Sequence, residues 1–271
     1  WVRVATFNLH AGVDGWGRPT RALDHAAGLG ADLLVLPEMW RGDHGDDFVT
    51  RFESLTGAVV TFVPLARAER VTTGQGGPTW QPFSAHLTGE HGLFFPDFRS
   101  PTRSQRRRRS RVDAVETGQW GLAVASRLPL TQVEIADLGR LPRERVSRAV
   151  ITATVTSPEG PFTLIALHGA HLSHGSYRLY AQVNELAAGF AEHPVLLVGD
   201  FNSWRPTLRA MLPGWRTLAR GRTWPARFPH SQIDHILGRG PWRTTRSFTS
   251  AGGSDHRALV AELTLAPRGL G

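Results

Sequence analysis

A short apolar run followed at once by polar residues constrains this chain most. Residues 194–198 read Pro-Val-Leu-Leu-Val, and the chain continues Gly-Asp-Phe-Asn-Ser over 199–203. Such a run, bounded by glycine, is typical of a buried strand that delivers polar side chains at its end. If the extended geometry continues through Phe201, Asp200 and Asn202 point to the same side. A carboxylate beside an amide suits a site that activates water and holds an anionic oxygen.

Polar side chains also interrupt four other predicted strands. These strands are expected within residues 2–10, 32–38, 162–172 and 231–237, and a Ser-Asp-His sequence follows at 254–256. Buried charges cost free energy unless they are paired or bound to a metal. Any one of these placements alone is more often structural. On its own, the sequence at 199–203 is more often a turn than a catalytic site. Together they predict one shared polar site, with these candidates: Asn8, Glu38, His171, Asp200, Asn202, Asp234, Asp255 and His256.

In this order, the candidates resemble the motifs of the endonuclease/exonuclease/phosphatase superfamily, the group that contains pancreatic-type deoxyribonuclease. Segment 121–130 resembles the family's strand ending in Ser-Arg-x-Pro. His171-Leu172, followed by Arg178 and Gln182, resembles its His-Leu strand end and the helix after it. The resemblance covers about residues 2–264. It implies an α/β fold, a four-layer α/β/β/α sandwich in which two packed mixed sheets are flanked by helices.

The resemblance also implies a metal site. Phosphate-ester hydrolysis builds negative charge that a divalent cation offsets, and magnesium prefers hard oxygen ligands with one or two carboxylates. Glu38 is the expected carboxylate ligand, with Asn8 and Asp255 in support, and manganese could substitute for magnesium. Many members carry an acidic residue where this chain has His10, which is instead a candidate substrate contact. Whether one or two ions bind stays open.

Catalytic roles follow from the same resemblance. Asp200 would be the general base that deprotonates water, and Asn202 would orient that water or hold a phosphoryl oxygen. His256 would contact the scissile phosphate, with Asp234 fixing its tautomer, as an orienting aspartate does in a catalytic triad. His171 would be a second phosphate contact or the proton donor to the leaving group.

Two sets of nearby residues carry less of the argument. Arg178 is a weaker candidate for substrate binding. Three further histidines near the motifs, His168, His174 and His235, are expected to be structural, and Asp14 in a glycine-rich loop is expected to be a turn residue more than a substrate contact.

Bulk properties are those of one globular domain spanning 1–271, which we expect to be a monomer. No apolar run approaches the roughly 20 residues that cross a bilayer. The chain has no cysteine, so thiolate metal sites and thiol nucleophiles are excluded. It begins at Trp1 without a methionine, so a cytoplasmic location and secretion after removal of a signal both stay open. The net charge of +8 favours acidic partners, although all 31 basic residues are arginine, which also indicates a compositional bias.

The predicted organisation is two halves, 1–156 and 162–264, each contributing one sheet, with helices at 20–29, 46–55 and 177–191. An insertion at about 70–117 has no clean period and contains four arginines at 106–109. One interpretation is a solvated loop. The other is a clamp, because basic residues interleaved with aromatics suit nucleic-acid backbones and bases or anionic lipid headgroups.

The sequence therefore predicts a magnesium-dependent hydrolase of phosphate esters that acts by in-line attack of an activated water. The alternative is a DNA or RNA endonuclease or exonuclease. A non-catalytic binding module on the same fold is disfavoured because every catalytic position is occupied.

Overall fold

The computed structural model describes residues 1–13, 19–73, 112–142, 144, 146–171, 174–190 and 193–266. Several predictions fall outside these residues. They are the predicted turn at Asp14, the Leu172 of the His-Leu motif, and the part of the insertion between 74 and 111, including the arginines at 106–109.

The described chain alternates strands with a few helices. The strands are β1 Val2–Thr6, β2 Leu33–Gly42, β3 Val59–Thr73, β4 Val112–Ser126, β5 Leu130–Gly139, β6 Arg148–Ser157, β7 Gly160–His168, β8 Val195–Asp200, β9 Arg216–Thr217, β10 Asp234–Arg239, β11 Trp242–Ala251 and β12 Arg257–Leu265. The α-helices are α1 Ala22–Gly28, α2 Phe48–Thr56, α3 Ser176–Ala188 and α4 Arg205–Met211. A short 3-10 turn covers His10–Gly12.

The strands form two six-stranded mixed sheets. The first has the order β11-β12-β1-β2-β4-β3, and the second has the order β5-β6-β7-β8-β10-β9. Within the first sheet β1 and β2 are parallel, and within the second β7 and β8 are parallel. The predicted division into halves 1–156 and 162–264 is wrong. The C-terminal strand β12 pairs antiparallel with β1, from Val2 opposite Leu263 to Thr6 opposite Leu259, while β5 and β6 join the second sheet.

Three apolar clusters show how the layers stack. The cluster between the sheets joins Val4 and Val35 of the first sheet to Leu164 and Val198 of the second. A second cluster packs α1 and α2 on the outer face of the first sheet, and a third packs α3 and α4 on the outer face of the second. The expected four-layer α/β/β/α sandwich is therefore confirmed.

The predicted helices at 20–29, 46–55 and 177–191 correspond to α1, α2 and α3. The start of α2 has a clear local cause, because the Asp47 side chain accepts hydrogen bonds from the backbone N–H groups of Val49 and Thr50. Its end has one too, since Gly57 adopts a φ of 67°. None of the helices within the described ranges is long and apolar enough to cross a membrane.

Strand direction brings the polar residues to one edge of the sandwich. The parallel strands β1 and β2 run toward Asn8 and Glu38, and the parallel strands β7 and β8 end at His168 and Asp200. Strands β10 and β12 are antiparallel to their neighbours, so they begin at this same edge. Strand β10 begins at Asp234, and β12 begins directly after His256. The fold thus gathers residues that are far apart in the sequence.

Candidate active site

Asn8 lies at the centre of the site. Its Nδ2 donates hydrogen bonds to Oε1 of Glu38 at 3.0 Å and to Oδ2 of Asp200 at 2.9 Å. Its backbone carbonyl accepts a hydrogen bond from the Ser254 hydroxyl at 2.7 Å. Asn8 therefore ties the first sheet to the second and to the segment that precedes β12.

Glu38 reaches the site through a bulge in β2. The pairing with β4 shifts between Pro37 and Met39, which leaves Glu38 as the extra residue, at a φ of 57°. Bulges of this kind turn a side chain out of the alternating pattern and are common beside active sites. The Glu38 carboxylate is 6% exposed and also accepts a 3.4 Å hydrogen bond from Nε1 of Trp120. The strained backbone is consistent with a functional position.

The turn after β8 fixes Asp200 but breaks the expected alignment with Asn202. Oδ1 of Asp200 accepts a hydrogen bond from the backbone N–H of Asn202 at 2.8 Å. Asn202 has a φ of 47°, so the extended geometry ends at Asp200, where β8 also ends. The Asn202 amide instead donates to the carbonyl of Gly169 at 3.1 Å. Asn202 stays beside the site, in a turn.

Asp234 and His256 form a buried pair next to Asp200. Nδ1 of His256 lies 2.8 Å from Oδ2 of Asp234, and Nε2 of the same ring lies 3.8 Å from Oδ2 of Asp200. The strand predicted within 231–237 begins later than expected, because β10 starts at Asp234, whose partner across the ladder is Asp200. The sheet register therefore sets the position of Asp234 opposite Asp200.

The site shifts the pKa of both acid–base groups. Burial, followed by repulsion from the Asp234 carboxylate, raises the pKa of Asp200 to about 7. Burial alone would lower the pKa of His256, but attraction from the three neighbouring aspartates outweighs it and holds that pKa well above its ordinary value. At neutral pH His256 is thus an imidazolium, and Asp200 lies close to its point of half-ionisation.

His168 was expected to be structural, and the structure places it in the site. Its Nε2 lies 3.9 Å from Oε1 of Glu38 and 3.9 Å from Oδ2 of Asp200. The ring is 3% exposed, and among the described residues its Nδ1 has no hydrogen-bond partner. Burial, with repulsion from Arg148 and His256, lowers the pKa of His168 well below its usual value, so the ring is neutral. The signal available in the sequence was its position as the last residue of an apolar strand.

Asp255 and His10 form a second pair at the edge of the site. Nδ1 of His10 lies 3.8 Å from Oδ1 of Asp255, whose side chain is 25% exposed. Burial would raise the pKa of Asp255, but His10 and His256 lower it overall. The structure thus brings Asp255 to His10, while Asn8 and Glu38 contact each other. A metal-ligand role for Asp255 and a substrate contact for His10 stay predictions.

His171 and Arg178 lie further out. His171 is exposed on the loop after β7, with its ring centroid 5.6 Å from that of His174. Nδ1 of His174 is 2.5 Å from Oε1 of Glu144, so this neighbour of His171 is held by a buried acid. Arg178 is exposed on α3, with its guanidinium 5.7 Å from the ring centroid of Tyr177. Their proposed contacts with substrate stay predictions.

The donor set suits a hard divalent cation. The site holds three buried carboxylates, on Glu38, Asp200 and Asp234, beside one imidazolium, on His256. The carboxylates therefore outnumber the positive charge that pairs with them. Oδ1 of Asp234 is buried without a hydrogen-bond partner in the described part of the chain. Ligand atoms of Asp200, Asp234 and His256 also lie within 4.8 Å of one another. Oxygen donors and an excess of negative charge fit magnesium or manganese.

Known proteins resemble this chain over most of its length. The Endonuclease/Exonuclease/phosphatase family matches residues 5–256. The chain is 31% identical over 172 residues to the Escherichia coli (strain K12) protein YbhP, a match that covers 55% of this chain and 64% of YbhP. It thus spans less than two thirds of that relative.

Two solved structures show the same fold. An endonuclease/exonuclease/phosphatase from Beutenbergia cavernae superposes with a TM-score of 0.61 at 19% identity, covering 98% of this chain and 72% of that one. A mannosyl-6-phosphatase from Bacteroides thetaiotaomicron superposes with a TM-score of 0.60 at 14% identity, covering 98% and 100%. Because the sequence matches the family over residues 5–256, this chain belongs to the Endonuclease/Exonuclease/phosphatase family.

Proposed function

We propose that this protein is a magnesium-dependent hydrolase of phosphate esters in which water attacks phosphorus in line with the leaving group. The observation that carries the proposal is the hydrogen-bonding of one amide, on Asn8, to two buried carboxylates, Glu38 and Asp200. That arrangement places a candidate metal ligand beside a candidate base. The names of structural relatives, including the mannosyl-6-phosphatase, support phosphate-ester chemistry in general terms.

Asp200 is the proposed general base. Its pKa of about 7 keeps a useful fraction ionised at neutral pH while leaving the carboxylate basic enough to accept a proton from water. The 2.8 Å hydrogen bond from the Asn202 backbone and the 2.9 Å hydrogen bond from Asn8 hold both of its oxygens. Asp200 would therefore act from a fixed position.

His256 is the proposed contact for the scissile phosphate. As an imidazolium held through Nδ1 by Asp234, it has its Nε2–H available for an anionic oxygen, in addition to the 3.8 Å contact with Asp200. Positive charge that is already oriented costs no reorganisation when negative charge develops on phosphorus. His168, neutral and close to both Glu38 and Asp200, would donate a hydrogen bond from its ring to the same region. His171 is proposed as the further contact near the leaving group.

Glu38 and Asn8 are the proposed metal ligands. A bound magnesium ion supplies Lewis-acid stabilisation of the charge on the phosphate oxygens. The alternative ligand group of Asp200, Asp234 and His256 is less suitable, because His256 is an imidazolium and would have to lose its Nε2 proton to bind a metal. Metal binding there would also occupy the proposed base, Asp200.

Hydrolysis in ¹⁸O-labelled water tests the proposal. The substrates are a panel of soluble phosphomonoesters, phosphodiesters, plasmid DNA and RNA, each with magnesium and with EDTA. We expect magnesium-dependent release of a phosphate product that carries one ¹⁸O atom from water at phosphorus. Label in the leaving alcohol, or full activity in EDTA, would contradict the proposal.

A nuclease is the second candidate, and the charge of the chain favours it. The net charge of +8 would attract a polynucleotide by releasing its counterions. The same substrate panel separates the two candidates, since a nuclease should cleave plasmid DNA or RNA well above its rate on small phosphodiesters.

A further inference from the structure

A loop between β9 and β10 forms one wall of the site. We call residues 219–231 the rim loop. The Thr223 hydroxyl accepts a hydrogen bond from the backbone N–H of Asp234 at 3.2 Å. The Ala226 backbone N–H donates to the carbonyl of Asp255 at 2.6 Å, and Nε of Arg257 donates to the Ala226 carbonyl at 2.8 Å. The rim loop is thus attached on both sides of the Asp234–His256 pair.

Trp224 is held firmly within the rim loop and yet remains exposed. Its side chain lies beside the carboxylate of Asp255, the residue that precedes His256. Its ring packs edge-on against His230 at a centroid distance of 5.6 Å, and its backbone pairs with that of Ser231. Even so, 37% of Trp224 is open to solvent. A large aromatic side chain that packs within its loop but stays uncovered, and that lies beside the neighbour of the proposed phosphate contact, offers a surface to a ligand.

The rim loop carries further groups of the same chemistry. Phe228 is 73% exposed, and the Arg227 guanidinium lies 5.3 Å from its ring centroid. Arg222 is exposed as well. Aromatic faces next to arginines suit a ligand that combines a flat ring with phosphate, because the ring stacks while the guanidinium groups attract the negative charge.

We propose that Trp224 is the stacking surface for a nucleobase whose attached phosphate lies at His256. This inference depends on the proposed function for the position of the phosphate. The substrate class would then be nucleotides or the ends of polynucleotides. A lipid surface fits less well, because Trp224 is more than half covered and lies beside the Asp255 carboxylate, whose burial in a bilayer would cost free energy.

A matched pair of ligands isolates the base. Adenosine 5′-monophosphate and ribose 5-phosphate both carry a ribose 5-phosphate group, and the base is present only in the first. Calorimetric titration with magnesium should show that the intact protein binds the nucleotide at least about 5-fold more tightly, the lower end for one stacked base. Trp224→Ala should remove this preference, while Trp224→Phe, which keeps a flat ring, should retain part of it. If ³¹P NMR shows that either ligand is hydrolysed, the preference for the nucleotide is measured as the ratio of the two kcat/KM values.

Trp1→Ala is the matched control. Trp1 is also exposed, and the Arg3 guanidinium lies 5.2 Å from its ring, but it sits at the opposite end of β1 from Asn8. The Trp1→Ala substitution should leave the preference for the base unchanged. The proposal is overturned if the intact protein shows no preference for the base or if Trp224→Ala keeps it. Weaker binding of Trp224→Ala to phosphatidylserine vesicles, with the base preference unchanged, would overturn it in favour of a membrane contact.

Failure of the two proposals can be told apart. If no phosphate ester is hydrolysed but the preference for the base depends on Trp224, the proposed hydrolase is wrong and the stacking surface stands. If phosphate esters are hydrolysed with no effect of the base, the proposed hydrolase stands and the stacking surface is wrong.

Discussion

The Asp234 carboxylate and the His256 imidazole form a 2.8 Å hydrogen bond, with both residues almost fully buried. The sheet register places Asp234 directly opposite Asp200, and the second ring nitrogen of His256 lies 3.8 Å from Asp200. One imidazolium therefore lies between two carboxylates that differ in their expected work. In the proposed mechanism Asp234 orients the ring, and Asp200 activates water.

The first prediction concerns that pair. His256→Ala should lower kcat by at least about 10²-fold, and Asp234→Asn should also lower it, because the ring loses its orientation and charge. If the two residues act as a unit, the double variant should be little worse than His256→Ala alone. Steady-state kinetics of the four proteins gives the answer. Independent, multiplying losses would show that Asp234 does not act through His256.

The second prediction concerns Asp200. Asp200→Asn should lower kcat by at least about 10²-fold because it removes the base. In the metal-free protein the same change should stabilise the fold at high pH. The folded pKa of about 7 lies above the unfolded value of 3.8, so the folded state holds the proton more tightly, and stability falls as pH rises from about 4 to about 7.

Thermal melting in EDTA checks the second half of this prediction. The Tm advantage of Asp200→Asn over the unchanged protein should be at least about 2 °C larger at pH 8 than at pH 5. An advantage that does not grow with pH would mean that Asp200 is not a buried, raised-pKa carboxylate.

The third prediction concerns His168. Its removal in His168→Ala should lower kcat by about 10²-fold, the lower end for removal of one donor at a reacting centre, since the ring lies 3.9 Å from both Glu38 and Asp200. His193→Ala, at an exposed position between α3 and β8, is the control and should keep normal turnover. Equal activity of the two variants would return His168 to a structural role.

The sequence was sufficient for the fold class, through its resemblance to the family, and for most residues of the candidate site, because strand-end polar residues survive as a local pattern. Which of two histidines, His168 or His171, lies beside Asp200 was not local information. It depends on the parallel register that sets His168 beside Asp200. The division of strands between sheets failed for a similar reason, since the pairing of β12 with β1 joins the two ends of the chain. The left-handed turn at Asn202 and the bulge at Glu38 likewise depend on long-range packing.

The fourth prediction concerns the arginines at 106–109, which lie outside the described residues. If they clamp a polyanion, replacing all four with serine should reduce the slope of log affinity against log salt. On duplex DNA the reduction should be up to about 0.9 for each phosphate that an arginine no longer neutralises. Turnover of a small soluble phosphodiester should not change, because remote binding groups do not take part in its chemistry. Fluorescence anisotropy with a labelled duplex at several salt concentrations measures the slope.

Vesicle binding completes the test of these arginines. Unchanged binding of the serine variant to duplex DNA and to anionic vesicles would identify the run as a solvated loop.

The most direct measurement is a magnesium titration of Glu38→Gln. The substitution keeps the size of the side chain and its hydrogen-bonding capacity toward Asn8 but removes the charge that is proposed to hold the metal. We expect the unchanged protein to lose activity in EDTA and to recover it with magnesium. The variant should have an intact fold by circular dichroism, little activity at low magnesium and only partial recovery at high magnesium. Normal turnover of Glu38→Gln at low magnesium would contradict the assignment of Glu38 as the metal ligand, and with it the proposed mechanism.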